Sequence, residues 1–165
     1  MSEKKLPIIK IDDSLKIEPL SAEFIEEIIE IENDSFGTPW SKNDYLRELN
    51  ENMLGFYLGI VWQGRLLGYG GYWLIMDEAH INNIAIHRLF RGQGLGELLM
   101  RNLILSAHSQ GATKMTLEVR ESNETAQNLY RKLGFEPSGV RPGYYSDNNE
   151  GAVIMWVQLV NVLKG

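Results

Sequence analysis

Apolar residues in the first third of the chain recur at the spacing of an amphipathic helix. Between residues 24 and 31 they are interspersed with glutamates and comprise Phe24, Ile25, Ile28, Ile29 and Ile31. This spacing predicts a helix that begins after Ser21 as its N-cap and ends at Gly37-Thr38-Pro39. A second helix is predicted over residues 42–50, capped by Ser41, and a short strand over residues 15–20 precedes both helices.

The middle of the chain has the apolar and aromatic runs of a β-sheet. Two runs, over residues 55–62 and 65–74, are separated by Gln63-Gly64, a pair typical of a two-residue hairpin turn. A third run covers residues 79–87. We therefore predict three consecutive strands, of which the first two form a hairpin.

Helices and strands alternate in the last third of the chain. Helices are predicted over residues 92–110 and 123–133, and strands over residues 113–119, 135–140 and 152–159. The full order predicts an α+β fold, in which a mixed, mostly antiparallel central sheet of about seven strands is flanked by four helices. Parallel neighbours are expected only after residue 79, where strand–helix–strand units occur. We assign residues 14–160 to a single domain and residues 1–13 to an N-terminal lead-in of unknown role.

Composition narrows the function classes. The 165 residues include no cysteine, which excludes a disulfide framework, a thiolate zinc site and a cysteine nucleophile. The formal net charge of −6 argues against direct nucleic-acid binding and favours a basic partner. No run of 18 apolar residues suggests a membrane span, so a cytoplasmic protein is expected. The three histidines lack metal-ligand spacing; no metal is predicted, and they are interpreted as surface or packing residues.

A glycine-rich turn, Arg91-Gly92-Gln93-Gly94-Leu95-Gly96, joins a predicted strand to the longest predicted helix. Such a turn lets backbone N–H groups approach a phosphate, although it can also serve only as a tight crossing. The dinucleotide pattern G-x-G-x-x-G fails, because its third glycine would fall at Glu97 or Leu99. A P-loop is excluded, since no Gly-Lys-Ser/Thr occurs.

The turn resembles the R-x-x-G-x-G signature of the Gcn5-related N-acetyltransferase (GNAT) superfamily, through Arg91, Gly94 and Gly96. A second block of that family, N-x-x-A-x-x-L-Y-x-x-x-G-F, is matched from Asn123 to Phe135. Further stretches are similar to the RimI-type branch, the bacterial ribosomal-protein-alanine N-acetyltransferases. These stretches are Pro39-Trp40-Ser41, Leu117-Glu118-Val119-Arg120 and Arg141-x-x-Tyr144-Tyr145.

The resemblance implies a three-layer GNAT-like fold and acetyl-CoA as co-substrate. It assigns the pantetheine arm to the strand backbone at Ile84, Ala85 and Ile86. It assigns the rest of the cofactor-binding site to the following residues: Arg91, Gly92, Gln93, Gly94, Leu95, Gly96, Glu97 and Asn123.

Acetyl transfer to an amine needs a base for the nitrogen and an acid for the departing sulfur. Glu118, at a strand end, and Tyr130, on the next helix, could fill these roles, and the resemblance assigns them as base and acid. From the residues alone, Glu118 could equally be ion-paired with Arg120 or Arg131, and Tyr130 could be a core aromatic. The missing cysteine favours direct attack in a ternary complex, with a backbone N–H of residues 83–86 as oxyanion donor.

Three aromatic residues are candidates for binding the acceptor: Trp40 between the first two helices, and Tyr144 and Tyr145 between the last two strands. The resemblance implies that the acceptor is the N-terminal alanine of a basic small-subunit ribosomal protein. A small-molecule amine, another protein N-terminus or a lysine stay open as acceptors. A non-catalytic acyl-CoA-binding module is the remaining alternative.

Overall fold

The computed structural model describes residues 14–163, which form seven strands and five α-helices. The strands are β1 Leu15–Pro19, β2 Gly55–Trp62, β3 Arg65–Ile75, β4 Glu78–Ile86, β5 Lys114–Arg120, β6 Glu136–Arg141 and β7 Ala152–Gln158. The helices are α1 Ile25–Ser35, α2 Lys42–Glu51, α3 Leu95–Ser109, α4 Glu124–Lys132 and α5 Leu159–Leu163. The lead-in predicted for residues 1–13 lies outside the described residues, and the assignment of residues 14–160 to one domain stays a prediction.

All seven strands join one sheet in the order β1-β2-β3-β4-β5-β7-β6. Every neighbouring pair is antiparallel except β4 and β5, which are parallel and connected through α3. The predicted mixed, mostly antiparallel sheet is therefore confirmed. The hairpin between β2 and β3 turns at Gln63 and Gly64, whose φ angles of 51° and 75° suit the right-handed twist of the strands.

Two hydrophobic clusters cover the two faces of the sheet and make three layers. On one face, Ile28 and Ile31 of α1 and Tyr45 of α2 pack against Tyr69 of β3. On the opposite face, α3 contributes a longer apolar stripe, which consists of Leu95, Leu99, Met100, Leu103, Ile104 and Ala107. Burial on both faces explains why β3 reads as a nearly continuous apolar run.

Helix boundaries differ from the sequence prediction at identifiable residues. The helix predicted from residue 92 begins at Leu95, because Gly92 and Gly94 have φ angles of 77° and 80°. Asn123 is the N-cap of α4 rather than its first residue. The prediction of four helices is wrong by one, since the chain turns into the short α5 where a strand to residue 159 was expected.

Candidate active site

A cleft opens in the sheet where β4 and β5 diverge. The two strands pair only over three positions, Glu78 with Lys114, Ala79 with Met115 and His80 with Thr116. Beyond His80, the described part of β4 is paired only with β3. The backbone groups along this edge of β4 are thus available to a ligand lying between the strands, at the carboxyl ends of parallel strands where ligands commonly bind.

A β-bulge shapes the cleft side of β4. Gly71 of β3 pairs with Asn83 and Tyr72 with Ile81, so Asn82 is the extra residue. The three residues predicted to hold the pantetheine arm, Ile84, Ala85 and Ile86, follow the bulge along the unpaired edge. This edge fits an extended, amide-containing chain, which could add to the sheet as a further strand does.

The glycine-rich turn brings a helix N-terminus to the same end of the cleft. Gly94 caps α3 in the left-handed region, and the N–H groups of Leu95, Gly96 and Glu97 begin the helix. The first N–H groups of a helix have no intrahelical carbonyl and lie at the positive end of its dipole, so they suit a pyrophosphate. The Leu95 side chain is buried in the core, so only its backbone could contact a ligand.

Three predicted cofactor residues have side chains engaged within the protein. Arg91 donates from Nε to the Ile86 carbonyl at 2.9 Å and from a terminal nitrogen to Ser35 Oγ at 3.2 Å, which fixes the turn against α1. Glu97 accepts from Lys132 and Arg101, which lower the pKa of its carboxyl. The Asn123 side chain accepts from the Ala126 N–H and caps α4.

Glu118 projects from β5 on the face opposite α3. Its neighbours Leu117 and Val119 belong to the α3-side core, so the alternation of the strand turns Glu118 the other way. Glu118 Oε2 lies 2.6 Å from His80 Nε2, and Oε1 lies 3.8 Å from an Arg141 nitrogen. Burial alone would raise the pKa of Glu118, but the hydrogen bond and charge of His80, with the charge of Arg141, lower it below its usual value.

His80 and Arg141 correct two sequence interpretations. His80 was interpreted as a surface or packing residue, whereas it hydrogen-bonds the candidate base directly. Arg120, a partner considered for Glu118, instead pairs with Asp147 at 2.8 Å. His80 and Glu118 are 38 residues apart, and only the parallel pairing of β4 with β5 brings them together, so no local sequence signal could have found this contact.

Tyr130 is buried in α4, and its ring packs 5.9 Å from that of Phe135. Burial, with a smaller contribution from the charge of Tyr145, raises the pKa of Tyr130 to about 12. The phenol therefore keeps its proton at neutral pH, as an acid must. Tyr130 can therefore be both a buried aromatic residue of the core and a proton donor.

Tyr144 and Tyr145 lie in the β6–β7 loop (residues 142–151), next to Glu118. Burial and then the Glu118 charge raise the pKa of Tyr144, and the ring of Tyr145 lies edge-on at 5.1 Å. The Arg120 guanidinium stacks 4.0 Å from the Tyr145 ring centroid. The structure thus brings both tyrosines to the candidate base.

Trp40 lies in the α1–α2 loop (residues 36–41), beside a cavity of about 480 Å³. The cavity is lined by Trp40, Asp44, Arg47, Glu48, Glu51, Asn52 and Trp73. Trp73 pairs across the sheet with His80, so the cavity begins one strand away from the Glu118 pair. Its lining is acidic, with three carboxylates against one guanidinium.

The α1–α2 loop and the β6–β7 loop meet at Gly37. A Cβ added to Gly37 would lie 2.0 Å from Asp147 Oδ2, so the two loops touch there and the Asp147 side chain would have to move to admit a larger residue. Asp147 is itself held by Arg120 of β5. The two loops that carry the predicted acceptor-binding residues are therefore in contact with each other.

Comparisons with known proteins agree with this geometry. A sequence profile described as the Acetyltransferase (GNAT) family matches residues 25–135, about two thirds of the chain. The chain belongs to the GNAT acetyltransferase family. The family assignment makes it an acetyl-CoA-dependent acetyltransferase, and the resemblance drawn from the two sequence blocks is confirmed.

Relatives place this GNAT enzyme in the RimI-type branch. A Bacillus subtilis protein provisionally named a ribosomal protein bS18-alanine N-acetyltransferase is 47% identical over 137 residues, which are 83% of this chain and 91% of the relative. An Escherichia coli K12 protein with that activity in its name is 35% identical over 127 residues, 76% of this chain and 84% of the relative.

Two solved structures superpose well on this GNAT enzyme. The crystal structure of the ribosomal-protein-S18-alanine N-acetyltransferase from Escherichia coli superposes with a TM-score of 0.80 at 29% identity, covering 88% of this chain and 94% of that one. Ard1 from Thermoplasma volcanium gives a TM-score of 0.78 at 28% identity, covering 88% and 97%.

Two further features of the described part of the enzyme concern metal-binding groups and membrane-spanning helices. Within residues 14–163, no group of three or more histidine, aspartate or glutamate side chains is arranged to hold a metal ion. None of the helices there has the length and apolar character needed to cross a membrane.

Proposed function

We propose that this enzyme transfers the acetyl group of acetyl-CoA to the N-terminal α-amine, an alanine, of a ribosomal protein of the small subunit. The observation that carries the proposal is the position of Glu118. It is a charged carboxylate on the β5 side of the cleft, opposite the β4 edge suited to the pantetheine arm, and adjacent to the aromatic β6–β7 loop. The names of the Bacillus subtilis and Escherichia coli relatives supply the substrate class.

Glu118 is proposed as the general base. The attacking α-amine must lose a proton as its nitrogen forms a bond to the thioester carbonyl carbon, and a carboxylate with a lowered pKa is available for it at any neutral pH. His80, with a side chain 36% exposed against 9% for Glu118, gives that proton a route to water. Backbone N–H groups of residues 83–86 are proposed to stabilise the oxyanion.

Tyr130 is proposed as the general acid. When the carbon–sulfur bond breaks, the phenol proton passes to the sulfur, so that coenzyme A leaves as a thiol rather than a thiolate. A pKa of about 12 keeps this proton in place until transfer. Because the chain has no cysteine, no acyl-cysteine can form, and the acetyl group passes directly to the amine in a ternary complex.

Charge supports a basic acceptor. The whole chain carries a formal charge of −6, and the cavity beside Trp40 is lined by Asp44, Glu48 and Glu51. A peptide whose amine lies at Glu118 and whose chain passes Trp40 would bring basic side chains to these carboxylates, which favours association with basic ribosomal proteins. A ribosomal acceptor also agrees with the cytoplasmic location expected from the sequence.

Mass spectrometry of two peptides tests the proposal. One peptide begins with alanine and carries a basic ribosomal-type sequence with its lysines blocked. The other has the same sequence with the α-amine blocked and one lysine free. We expect one acetyl group on the first peptide only. Transfer to the lysine peptide alone, or to neither peptide while acetyl-CoA still binds, would reject N-terminal specificity in favour of a lysine, a small amine or a binding module.

A further inference from the structure

A buried carboxylate, Glu32, lies at the base of the α1–α2 loop. The residue is 1% exposed, although it sits on α1 outside the cleft. Glutamate is rarely buried this completely, because removing a carboxylate from water costs more than most packing returns. Its burial therefore indicates that hydrogen bonds within the core compensate the carboxylate for the loss of water.

Three neutral donors converge on the two oxygens of Glu32. Oε1 accepts the backbone N–H of Trp40 at 3.0 Å. Oε2 accepts the hydroxyl of Tyr45 at 2.7 Å and that of Tyr69 in a short hydrogen bond. Burial strongly raises the pKa of both tyrosines, which keeps them protonated as donors.

The two carboxylate oxygens of Glu32 bond to different parts of the structure. The Oε2 bonds tie Glu32 to α2 and to the sheet, both of which are rigid elements. The Oε1 bond alone reaches the α1–α2 loop, immediately before Ser41 caps α2. Trp40 is thus held at its backbone from inside the core, while its ring packs 5.1 Å from Tyr45 and lines the acidic cavity.

The same network reaches the acetyl-CoA side of the cleft. Asn83, at the β4 bulge, donates from Nδ2 to the Tyr45 hydroxyl at 2.5 Å. The strand edge suited to pantetheine and the loop suited to the acceptor therefore rest on one chain of hydrogen bonds. On the β4 side this bond is secondary, because pairing with β3 already fixes the strand.

From this arrangement we propose that Glu32 is a positioning residue for the acceptor: it acts through the Trp40 N–H and sets the affinity for the peptide without touching it. The inference rests on the proposed function, in which Trp40 contacts the acceptor. Glu32 then differs from an ordinary core residue, because loss of the Glu32 carboxylate should weaken peptide binding selectively and leave acetyl-CoA binding intact.

The test compares Glu32→Met with Tyr69→Phe. Methionine is similar in length to glutamate but has no oxygen, so in Glu32→Met the Trp40 N–H loses its acceptor. Tyr69→Phe removes a donor from Oε2 and leaves the Trp40 bond unchanged, so it serves as the matched control. We expect the peptide KM to rise about tenfold in Glu32→Met only, with the acetyl-CoA KM within twofold of wild type in both variants.

A second readout does not depend on any substrate. Hydrogen exchange at the Trp40 backbone amide should accelerate about tenfold in Glu32→Met and stay at the wild-type rate in Tyr69→Phe. If Glu32→Met does not fold, Glu32→Asp, whose carboxylate is one methylene short, replaces it with the same expected shifts.

The outcomes separate the two proposals. A wild-type enzyme that acetylates no peptide α-amine would refute the proposed function, and Trp40 exchange would then still decide whether Glu32 holds the loop. An active wild type with unchanged peptide KM in Glu32→Met would overturn the role of Glu32 alone. If the KM values for peptide and acetyl-CoA rose equally, or if Tyr69→Phe had the same effects as the Glu32 variant, Glu32 would serve only the stability of the fold.

Discussion

At the scale of single residues, Glu118 keeps its charge across the pH range in which a peptide α-amine titrates. His80 and Arg141 hold its pKa below the usual value, so the folded protein has the carboxylate throughout the neutral range. We therefore expect kcat/KM for the peptide to rise with pH through the amine pKa of about 8, with no second limb from Glu118 between pH 5 and 7. A pH–rate profile at saturating acetyl-CoA measures this.

The Arg141→Gln variant tests whether Glu118 is fully ionised in this pH range. Removing the guanidinium beside Oε1 should raise the pKa of Glu118, and any limb due to this carboxylate would move to higher pH. A limb between pH 5 and 7 that is present in the wild type and shifts upward in Arg141→Gln would contradict the view that Glu118 is fully ionised in that range.

Tyr130 allows catalysis to be separated from stability. No hydrogen bond joins its hydroxyl to another described residue, so Tyr130→Phe retains the packing against Phe135. We expect kcat to fall about 10²-fold, in the range of a lost general acid, while the free energy of unfolding changes by less than about 1 kcal/mol. Steady-state kinetics and urea unfolding measure the two effects. A kcat within threefold of wild type would remove Tyr130 from the mechanism.

At the scale of elements, the turn before α3 requires glycine for a backbone reason. Gly94 has a φ of 80°, and no heavy atom lies within 4 Å of an added Cβ, so the cost of a side chain there is conformational rather than steric. Gly94→Ala should destabilise the native turn by about 1 kcal/mol and raise the KM for acetyl-CoA severalfold, with the peptide KM unchanged.

Gly139→Ala in β6 is the control for Gly94→Ala. It also meets no neighbour within 4 Å, but its φ is negative, so the methyl group is tolerated. Steady-state kinetics with each substrate varied in turn compare the two variants. Similar acetyl-CoA KM values for both would show that the conformation at Gly94 does not matter for the cofactor.

Local patterns predicted the elements well and their ends less well. Apolar spacing located α1 and α2, and the Gln63-Gly64 pair located the hairpin, because both signals lie within a few residues. The start of α3 at Leu95 depends on the φ angles of Gly92 and Gly94, which the letters alone do not give. The short α5 was missed because it begins at Leu159, directly after β7, where the predicted strand ended.

At the scale of the whole molecule, the site depends on contacts between distant parts of the chain. Gly37 meets Asp147, 110 residues further along the chain, and Glu118 meets His80 across the parallel strands. The two sequence blocks of the family predicted the glycine turn and Tyr130 by resemblance, and the RimI-type stretch at Leu117–Arg120 predicted Glu118. Neither the loop contact nor the His80 partner could follow from spacing, because each requires the sheet order to be known.

In the proposed reaction, the cleft joins acetyl-CoA on β4 to a peptide α-amine, and Glu118 accepts the proton of that amine. The decisive measurement is the rate of acetylation of an alanine-starting basic peptide by wild type, Glu118→Gln and the exposed control Glu136→Gln, at saturating acetyl-CoA. We expect a loss of about 10²-fold or more in Glu118→Gln and wild-type rates in Glu136→Gln. A Glu118→Gln enzyme that retains the wild-type rate within a few fold would contradict it.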